Sequence, residues 1–371
     1  MEIPAWYIIN NVDELDTPAL IVYPDRVKSN IDLLKSMVDD PFRLRPHAKS
    51  HKSADAALLM IQSGISKFKC ATIAEAEMLG IAKATDVLLA YQPAGPKLQR
   101  FIEVIKAYPD TTYSCLVDND YSANVMSKAA IESNLVIPVY IDLNVGMNRT
   151  GLKPKCAFFL FKTCSVLPGL RLMGLHAYDG HIHDDDFAVR EQRVAEALQP
   201  VHQLRDDLVN AGYAKPLLIA GGSPTMPIIA RLKDNVELSP GTFVYWDKGY
   251  GDAYPEQPFQ SAALLVARVI SLPEDGKICI DLGHKSVSAE RPLNERVYFL
   301  NAPELKFISH SEEHLVADAG PNHNYKVGDV LYGLPFHVCP SVALYERAIT
   351  IENNQISGQW KTIARDRKIT I

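Results

Sequence analysis

From Arg43 to about Thr242, short β-branched runs alternate with longer amphipathic stretches, and this alternation constrains the fold more than any other property of the chain. Candidate strands are Phe42–His47, Lys67–Thr72, Asp86–Tyr91, Thr112–Asp118, Ile137–Leu143, Leu170–Tyr178, Pro216–Gly221 and Val236–Pro240. Helical patterns fall between them at Ala54–Ser63, Ala74–Lys83, Lys97–Ala107, Tyr121–Ser133, Lys155–Val166, Phe187–Ala211 and Thr225–Leu232. Eight strands separated by seven helices, at spacings of roughly 20 to 40 residues, predict a (β/α)8 barrel of the TIM type. An open doubly wound sheet ranks second, because no GxGxxG follows the first strand. After Gly249 the texture changes. The β-runs Ala262–Ser271, Ile278–Asp281, Arg296–Leu300, Glu313–Val316, Asp329–Pro335 and Ala348–Glu352 follow one another without long helices, which predicts an antiparallel β-domain. Asp247 to Pro258, with Gly249, Gly251, Pro255 and Pro258, reads as the linker. Ala19–Tyr23 is a ninth strand, surplus to the barrel and available to the β-domain.

At 371 residues the chain has room for two domains, each with its own core. Its net charge of −6 gives no general attraction to nucleic acid or to an anionic membrane. Apolar runs such as Ala262 to Ala267 are too short to span a bilayer, and Met1 to Asn10 lacks the pattern of a signal peptide. The six cysteines show neither framework spacing nor a CxxC pair, so reduced thiols and a cytoplasmic location are expected.

The segment Arg45-Pro46-His47-Ala48-Lys49-Ser50-His51-Lys52 carries the chemistry. Read as a strand from Phe42 to Lys49, it places Arg45, His47 and Lys49 on one face. Three such groups repel one another unless an anion or an enclosed polar site faces them. A like charge and partial desolvation both favour an uncharged, nucleophilic amine, so Lys49 is the expected Schiff-base former. A solvated basic strand end is the plain alternative.

In such barrels the reactive groups sit at the C-terminal strand ends. Strand three ends in Tyr91-Gln92-Pro93, and strand five runs into Asn144-Val145-Gly146-Met147-Asn148-Arg149. Strand six ends in His176-Ala177-Tyr178-Asp179-Gly180-His181-Ile182-His183-Asp184, strand seven in Gly221-Gly222-Ser223-Pro224-Thr225, and strand eight in Gly241-Thr242. The glycines let backbone N–H groups approach an anion, the Ser223 and Thr225 hydroxyls can donate to it, and the following helix points its positive end the same way. A Gly-Gly-Ser-Pro turn capped by Thr225 is the structural alternative. Arg149 could hydrogen-bond an anionic ring oxygen. His181 and His183, followed by Asp184, read either as solvated loop histidines or as metal ligands. A phosphate cradle and a nucleophilic lysine in one barrel imply pyridoxal 5'-phosphate.

The stretch 45–52 resembles the cofactor-lysine motif of D-threonine aldolases and D-serine dehydratases, pyridoxal-phosphate enzymes with an alanine-racemase-like barrel (fold type III). The resemblance extends from Asp16-Thr17-Pro18-Ala19 to Gly333-Leu334-Pro335-Phe336-His337-Val338-Cys339-Pro340. It implies that Lys49 bonds the cofactor, that Arg149 lies near its phenolic oxygen and Tyr178 near its ring nitrogen. Gly221, Gly222, Ser223, Gly241 and Thr242 would surround the phosphate. It further implies a barrel over 24–248, a β-domain made of 1–23 plus 249–371, and a homodimer. Aldolases of this family show Tyr-His-Gly after strand six where this chain has Tyr178-Asp179-Gly180, so His181 becomes the candidate base. His337 and Cys339 are expected as a metal pair of the dehydratase type, for zinc or manganese, on one face of an extended strand over the barrel mouth; a buried cysteine beside a hydrogen-bonded core histidine is the plain alternative. The expected activity is metal-assisted retro-aldol cleavage of a β-hydroxy-D-amino acid. The alternatives are elimination to a keto acid and ammonia, a non-catalytic cofactor carrier, and a racemase.

Overall fold

A computed structural model describes residues 5–371; residues 1–4, which fall in the expected β-domain, lie outside the described residues. The chain divides into two compact units, one made of Met1–Asp32, Ser50–Ala56 and Thr242–Arg365, the other of Leu33–Lys49, Ala57–Gly241 and Asp366–Ile371. Helix α1 (Pro24–Ser36) crosses the division; its buried Val27, Ile31 and Leu34 recur at helical spacing, a pattern the sequence reading left unassigned. No helix among the described residues is long and apolar enough to cross a membrane.

The second unit is a parallel barrel. Its strands β2 (Lys67–Cys70), β3 (Asp86–Leu89), β4 (Thr112–Val117), β5 (Ile137–Leu143), β6 (Leu170–Ala177), β7 (Leu217–Ala220) and β8 (Val236–Leu238) pair in chain order. Helices α3 (Ile73–Ile81), α4 (Pro96–Ala107), α5 (Asp120–Glu132), α6 (Pro154–Val166) and α7 (Phe187–Asn210) follow β2 to β6 in turn. The expected first strand is not a regular strand. Phe42 and Arg43 belong to a 3-10 turn, and only Leu44 and His47 make bridges, to Leu238 and Lys69 respectively. The reason is local: Pro46 has no N–H to give to a ladder. The segment still closes the ring, because the N–H groups of Arg45 and His47 donate to Leu238 and Pro240, and that of Lys69 donates to the Pro46 carbonyl. The helix expected over Thr225–Leu232 shrinks to one turn, α8 (Met226–Ile229), with Pro227 near its start.

Alternation along the strands fills the lumen in layers. The lowest holds Arg45, Lys67, Asp86 and Glu237, joined by ion pairs. Above it Leu88, Leu116, Tyr140 and Ile219 pack as an apolar plug. Gly174 on β6 is required there, since a methyl at that position would lie 2.1 Å from the Leu217 carbonyl oxygen. The plug closes the lumen from below, so the polar residues one layer further up face a cavity with an apolar floor.

In the first unit β1 (Ala19–Val22) lies between β9 (Ala263–Glu274), antiparallel to it, and β15 (Arg347–Glu352), parallel to it. The sheet runs β12 (Lys306–His310), β13 (Leu315–Asp318), β10 (Lys277–Ile280), β9, β1, β15, β16 (Gln355–Lys361), while β14 (Val330–Pro335) pairs with β9 and with β11 (Val297–Phe299). The antiparallel expectation therefore fails at one pair, β1 with β15. That pairing is open to β1 because a long connection separates the two in the chain. A core of Ile9, Leu15, Ile21, Tyr23, Leu264, Val266, Tyr332, Leu334 and Ile351 packs on one sheet face. The stretch expected as a linker contains a helix, α9 (Lys248–Ala253), whose cap Asp247 accepts from the Tyr250 N–H; Gly249 and Gly251 had hidden it.

Candidate active site

At the C-terminal strand ends of the barrel unit lies a cavity of about 430 Å³, walled by His47, Lys49, Lys69, Asp142, Arg149, His176 and Tyr178 among others. Lys49 is presented by a 3-10 turn, Ala48–Ser50, and not by continued strand alternation. Its N–H donates to Nδ1 of His47 at 3.2 Å, which fixes the turn. Arg45, expected on the same charged face, is absent from the cavity: it is 1% exposed in the lowest layer, bound to Asp86 and Glu237.

Three cations converge on one aromatic ring. Tyr178 has Lys69 Nζ at 5.0 Å, Arg149 Cζ at 5.1 Å and Lys49 Nζ at 5.7 Å from its ring centroid. The ring is wedged between two turns, since a methyl on Gly180 would meet it at 2.4 Å and one on Gly222 at 3.2 Å. Gly221 adopts φ +77°, a left-handed conformation that favours glycine and turns the chain back after β7. The Gly222 N–H donates to Thr225 Oγ1 at 3.1 Å, and the Gly241 N–H to Ser223 Oγ at 3.2 Å. These donors sit in a tight, buried turn of the kind an anion enters by exchanging hydroxyl acceptors for its own oxygens. The one-turn α8 adds little dipole to it. Thr242 belongs to the other unit, where its Oγ1 lies 3.8 Å from Cys339 Sγ.

Opposite the lysines, Asp142 on β5 and His176 on β6 are register partners, joined at 2.7 Å through His176 Nδ1. Burial pushes Asp142 up, but the His176 hydrogen bond and charge, with bonds from Thr150 and Gln92, hold its carboxyl below the usual value. Burial, then Lys69, push His176 down against Asp142, so the imidazole is neutral at pH 7 with its proton on Nδ1 facing the carboxylate. His176 Nε2 is then a buried acceptor without a hydrogen-bond partner in the cavity wall. That orphaned nitrogen calls for a donor on whatever fills the space. Cavity size, glycine turns, convergent cations and orphaned acceptor all fit a phosphorylated aromatic aldehyde such as pyridoxal phosphate.

His181 is not a wall residue of this cavity. It packs on the loop after β5, where a methyl on Gly146 would lie 2.5 Å from its Nε2. Burial first, then Arg193 and His183, lower its pKa. Asp179, at the position where the aldolases carry histidine, is buried, and its pKa is pushed up to about 6 by burial, against the pull of Thr225 and Lys69. Its folded-state value exceeds the unfolded one, near 3.9. It therefore contributes stability that is complete below about pH 4 and is lost as pH rises through about 6. Asp179→Asn, neutral throughout, should show a flatter decline in urea midpoint across that window in cofactor-free protein. Parallel curves would mean that Asp179 does not titrate there.

Lys69 and Asp142 escape the strand-end reading, and His176, which that reading places at the end of strand six, receives no role in it. The strand-end reading passed over strand two, although Lys69 is the penultimate residue of β2 and alternates with the buried Phe68 and Cys70. Asp142 lies inside β5, whose reading starts only at Asn144.

The metal pair departs from expectation. His337 is extended, but Val338–Val342 forms a short helix, α10, so the pair does not share a strand face. Pro340 in its first turn is compatible with a helix start. The two side chains still meet: burial pulls the pKa of His337 down, but Cys339 and then Glu290 together raise it to about 9. Cys339 Sγ lies 3.2 Å from Ser50 Oγ. Among the described residues no group of three or more His, Cys, Asp or Glu side chains is placed to hold a metal.

Residues 22–248 match the family model "Alanine racemase, N-terminal domain". The chain belongs to the fold type III family of pyridoxal-phosphate-dependent enzymes. Residues 262–351 match a second model, "Putative serine dehydratase domain". The chain is 26% identical to a D-threonine aldolase of Arthrobacter sp over 360 residues, covering 95% of this chain and 93% of the relative. It is 27% identical to the D-threo-3-hydroxyaspartate dehydratase of Delftia sp. (strain HT23) over 289 residues, covering 75% and 74%. The crystal structure of D-threonine aldolase from Filomicrobium marinum superposes with a TM-score of 0.86 at 27% identity, over 98% of this chain and 99% of that one. This fold type III chain is thus an enzyme of the pyridoxal-phosphate-dependent lyase group.

Proposed function

We propose that the protein is a pyridoxal-phosphate-dependent lyase that cleaves a β-hydroxy-D-amino acid to glycine and an aldehyde. The observation that carries this reading is the convergence of Lys49, Arg149 and Tyr178 in one closed-floored cavity beside the Gly221–Gly222 turn. Similarity to a D-threonine aldolase along nearly the whole chain supports the aldol direction. Pyridoxal phosphate, when bound, withdraws electrons from the bonds of the substrate's α-carbon.

The chain's own residues supply the rest. Lys49 is the residue that would hold the cofactor's aldehyde carbon through its amine. Gly221, Gly222, Ser223 and Gly241 would hold the cofactor's phosphate through N–H and hydroxyl groups. Arg149 would hold the phenolic oxygen, and Tyr178 would lie near the ring nitrogen. His176 offers its free Nε2 lone pair and is held in that tautomer by Asp142. His181, the base expected from the sequence, packs on the Gly146 loop outside the cavity wall, so the β-hydroxyl proton is not assigned to it. His337 and Cys339 are proposed to hold a divalent metal; as two ligands they make an open site and not a closed structural one. The reading includes a cytoplasmic homodimer, and light scattering of the purified protein would measure its mass.

The His337-x-Cys339 spacing, which resembles that of dehydratases, favours one alternative, elimination of the β-hydroxyl to a keto acid and ammonia. Incubation of the holoenzyme with D-threonine and with D-serine, with and without chelator, separates the readings. Glycine and acetaldehyde from D-threonine are expected, lost on chelation and restored by zinc or manganese. Keto acid and ammonia would establish the dehydratase, and no product from either amino acid would leave a carrier.

A further inference from the structure

Lys69 is a second amine in the cofactor cavity, and the functional reading above does not use it. Its position is built by the fold. Lys69 is the register partner of His47 across β2, and its N–H donates to Pro46, so strand two is tied to the segment that carries Lys49. It is 3% exposed, and its Nζ faces the same Tyr178 ring as Lys49 Nζ, at 5.0 and 5.7 Å. A structural lysine so deeply buried would normally be neutralised by a carboxylate at contact distance, as Lys67 is by Glu237 one layer below. Among the described residues no carboxylate makes such a pair with Lys69. The charged and titratable groups facing it are Lys49, Arg149, His176, Asp142 and Asp179. Asp142 is already taken by His176 and Gln92.

We propose that Lys69 is a catalytic residue that accepts the proton an incoming substrate ammonium must lose before its amine can displace Lys49 from the cofactor. The inference rests on Lys49 being the cofactor lysine. The step balances: the ammonium N–H bond breaks, the proton passes to the Nζ lone pair of Lys69, and the freed nitrogen lone pair becomes the nucleophile. When product leaves, the transfer runs backwards, and Lys69 returns the proton to the departing amine as Lys49 re-bonds. Burial first, then repulsion from Lys49, lower the pKa of Lys69 to about 7, with Asp142 and Asp179 opposing. An amine held below its ordinary value in this way parts with its proton more readily, the condition for taking and giving a proton.

The test is made on holoenzyme with D-alanine, which has no β-hydroxyl and so stops at amine exchange, followed by stopped-flow absorbance. Borohydride reduction and peptide mapping first locate the cofactor on Lys49 in the parent and in each variant; a label elsewhere would overturn the underlying cofactor reading together with this one. In Lys69→Met, which has a similar volume and no charge, exchange at pH 7 is expected to slow by about 10²-fold. The inflection near neutral pH in the parent's rate should disappear. Lys69→Arg, which keeps the charge but cannot release a proton, should be equally slow. Lys69→Gln serves if the methionine variant does not fold. Exchange in Lys69→Met or Lys69→Gln at the parent rate with the same inflection, or full speed in Lys69→Arg, would overturn the proposal.

Discussion

Lys49→Ala is expected to abolish covalent cofactor attachment, remove the visible absorbance of the holoenzyme and lower turnover by about 10⁴-fold or more. Stability should change by no more than about 1 kcal/mol. Lys49 forms no ion pair among the described residues, and its removal relieves the repulsion that depresses Lys69. The cofactor-free variant should therefore keep the parent's circular dichroism and urea midpoint. Its rivals are placed for other work. Lys285 is paired with Glu312 and Glu313 in the β-unit, and the Lys52 backbone oxygen accepts from the Ala364 N–H. Borohydride labelling of Lys52 or Lys285 in the parent protein would refute the assignment.

The barrel was legible because its strands are short apolar runs whose burial on both faces leaves little choice of period. The β-unit was less legible: β12 and β16, rich in polar residues and mostly exposed, gave no alternating signal. The charged segment at 45–52 was read correctly as unusual and incorrectly as one face of one strand. Pro46 interrupts the ladder, Arg45 drops to the bottom layer, and a 3-10 turn carries Lys49 into the cavity. Sequence spacing can show that charges recur at period two; only register shows that they lie at different depths of a barrel. Lys69 illustrates the converse. Its neighbours in space come from strands far apart in the chain, so nothing local distinguishes it from a surface lysine.

The depth of Arg45 makes the second large effect one of stability. Its Nε donates to Glu237 at 2.6 Å, and its terminal nitrogens donate to the two Asp86 oxygens at 2.7 and 2.9 Å. Glu237 is 4% exposed and Asp86 is partly exposed, so Arg45→Ala would strand one carboxylate where water cannot reach it, with Lys67 as its remaining cation. Breaking a buried pair from one side costs about 3–5 kcal/mol, more than the pair itself contributes relative to an apolar filling. The urea transition of cofactor-free Arg45→Ala should move down accordingly. The double variant Arg45→Met, Glu237→Met should recover much of the loss, because it removes the stranded charge and fills the volume. Activity per folded molecule should stay near that of the parent, since the apolar layer of Leu88, Leu116, Tyr140 and Ile219 separates this network from the cavity. A variant that kept its stability but lost cofactor affinity would place Arg45 back among the groups that face the anion.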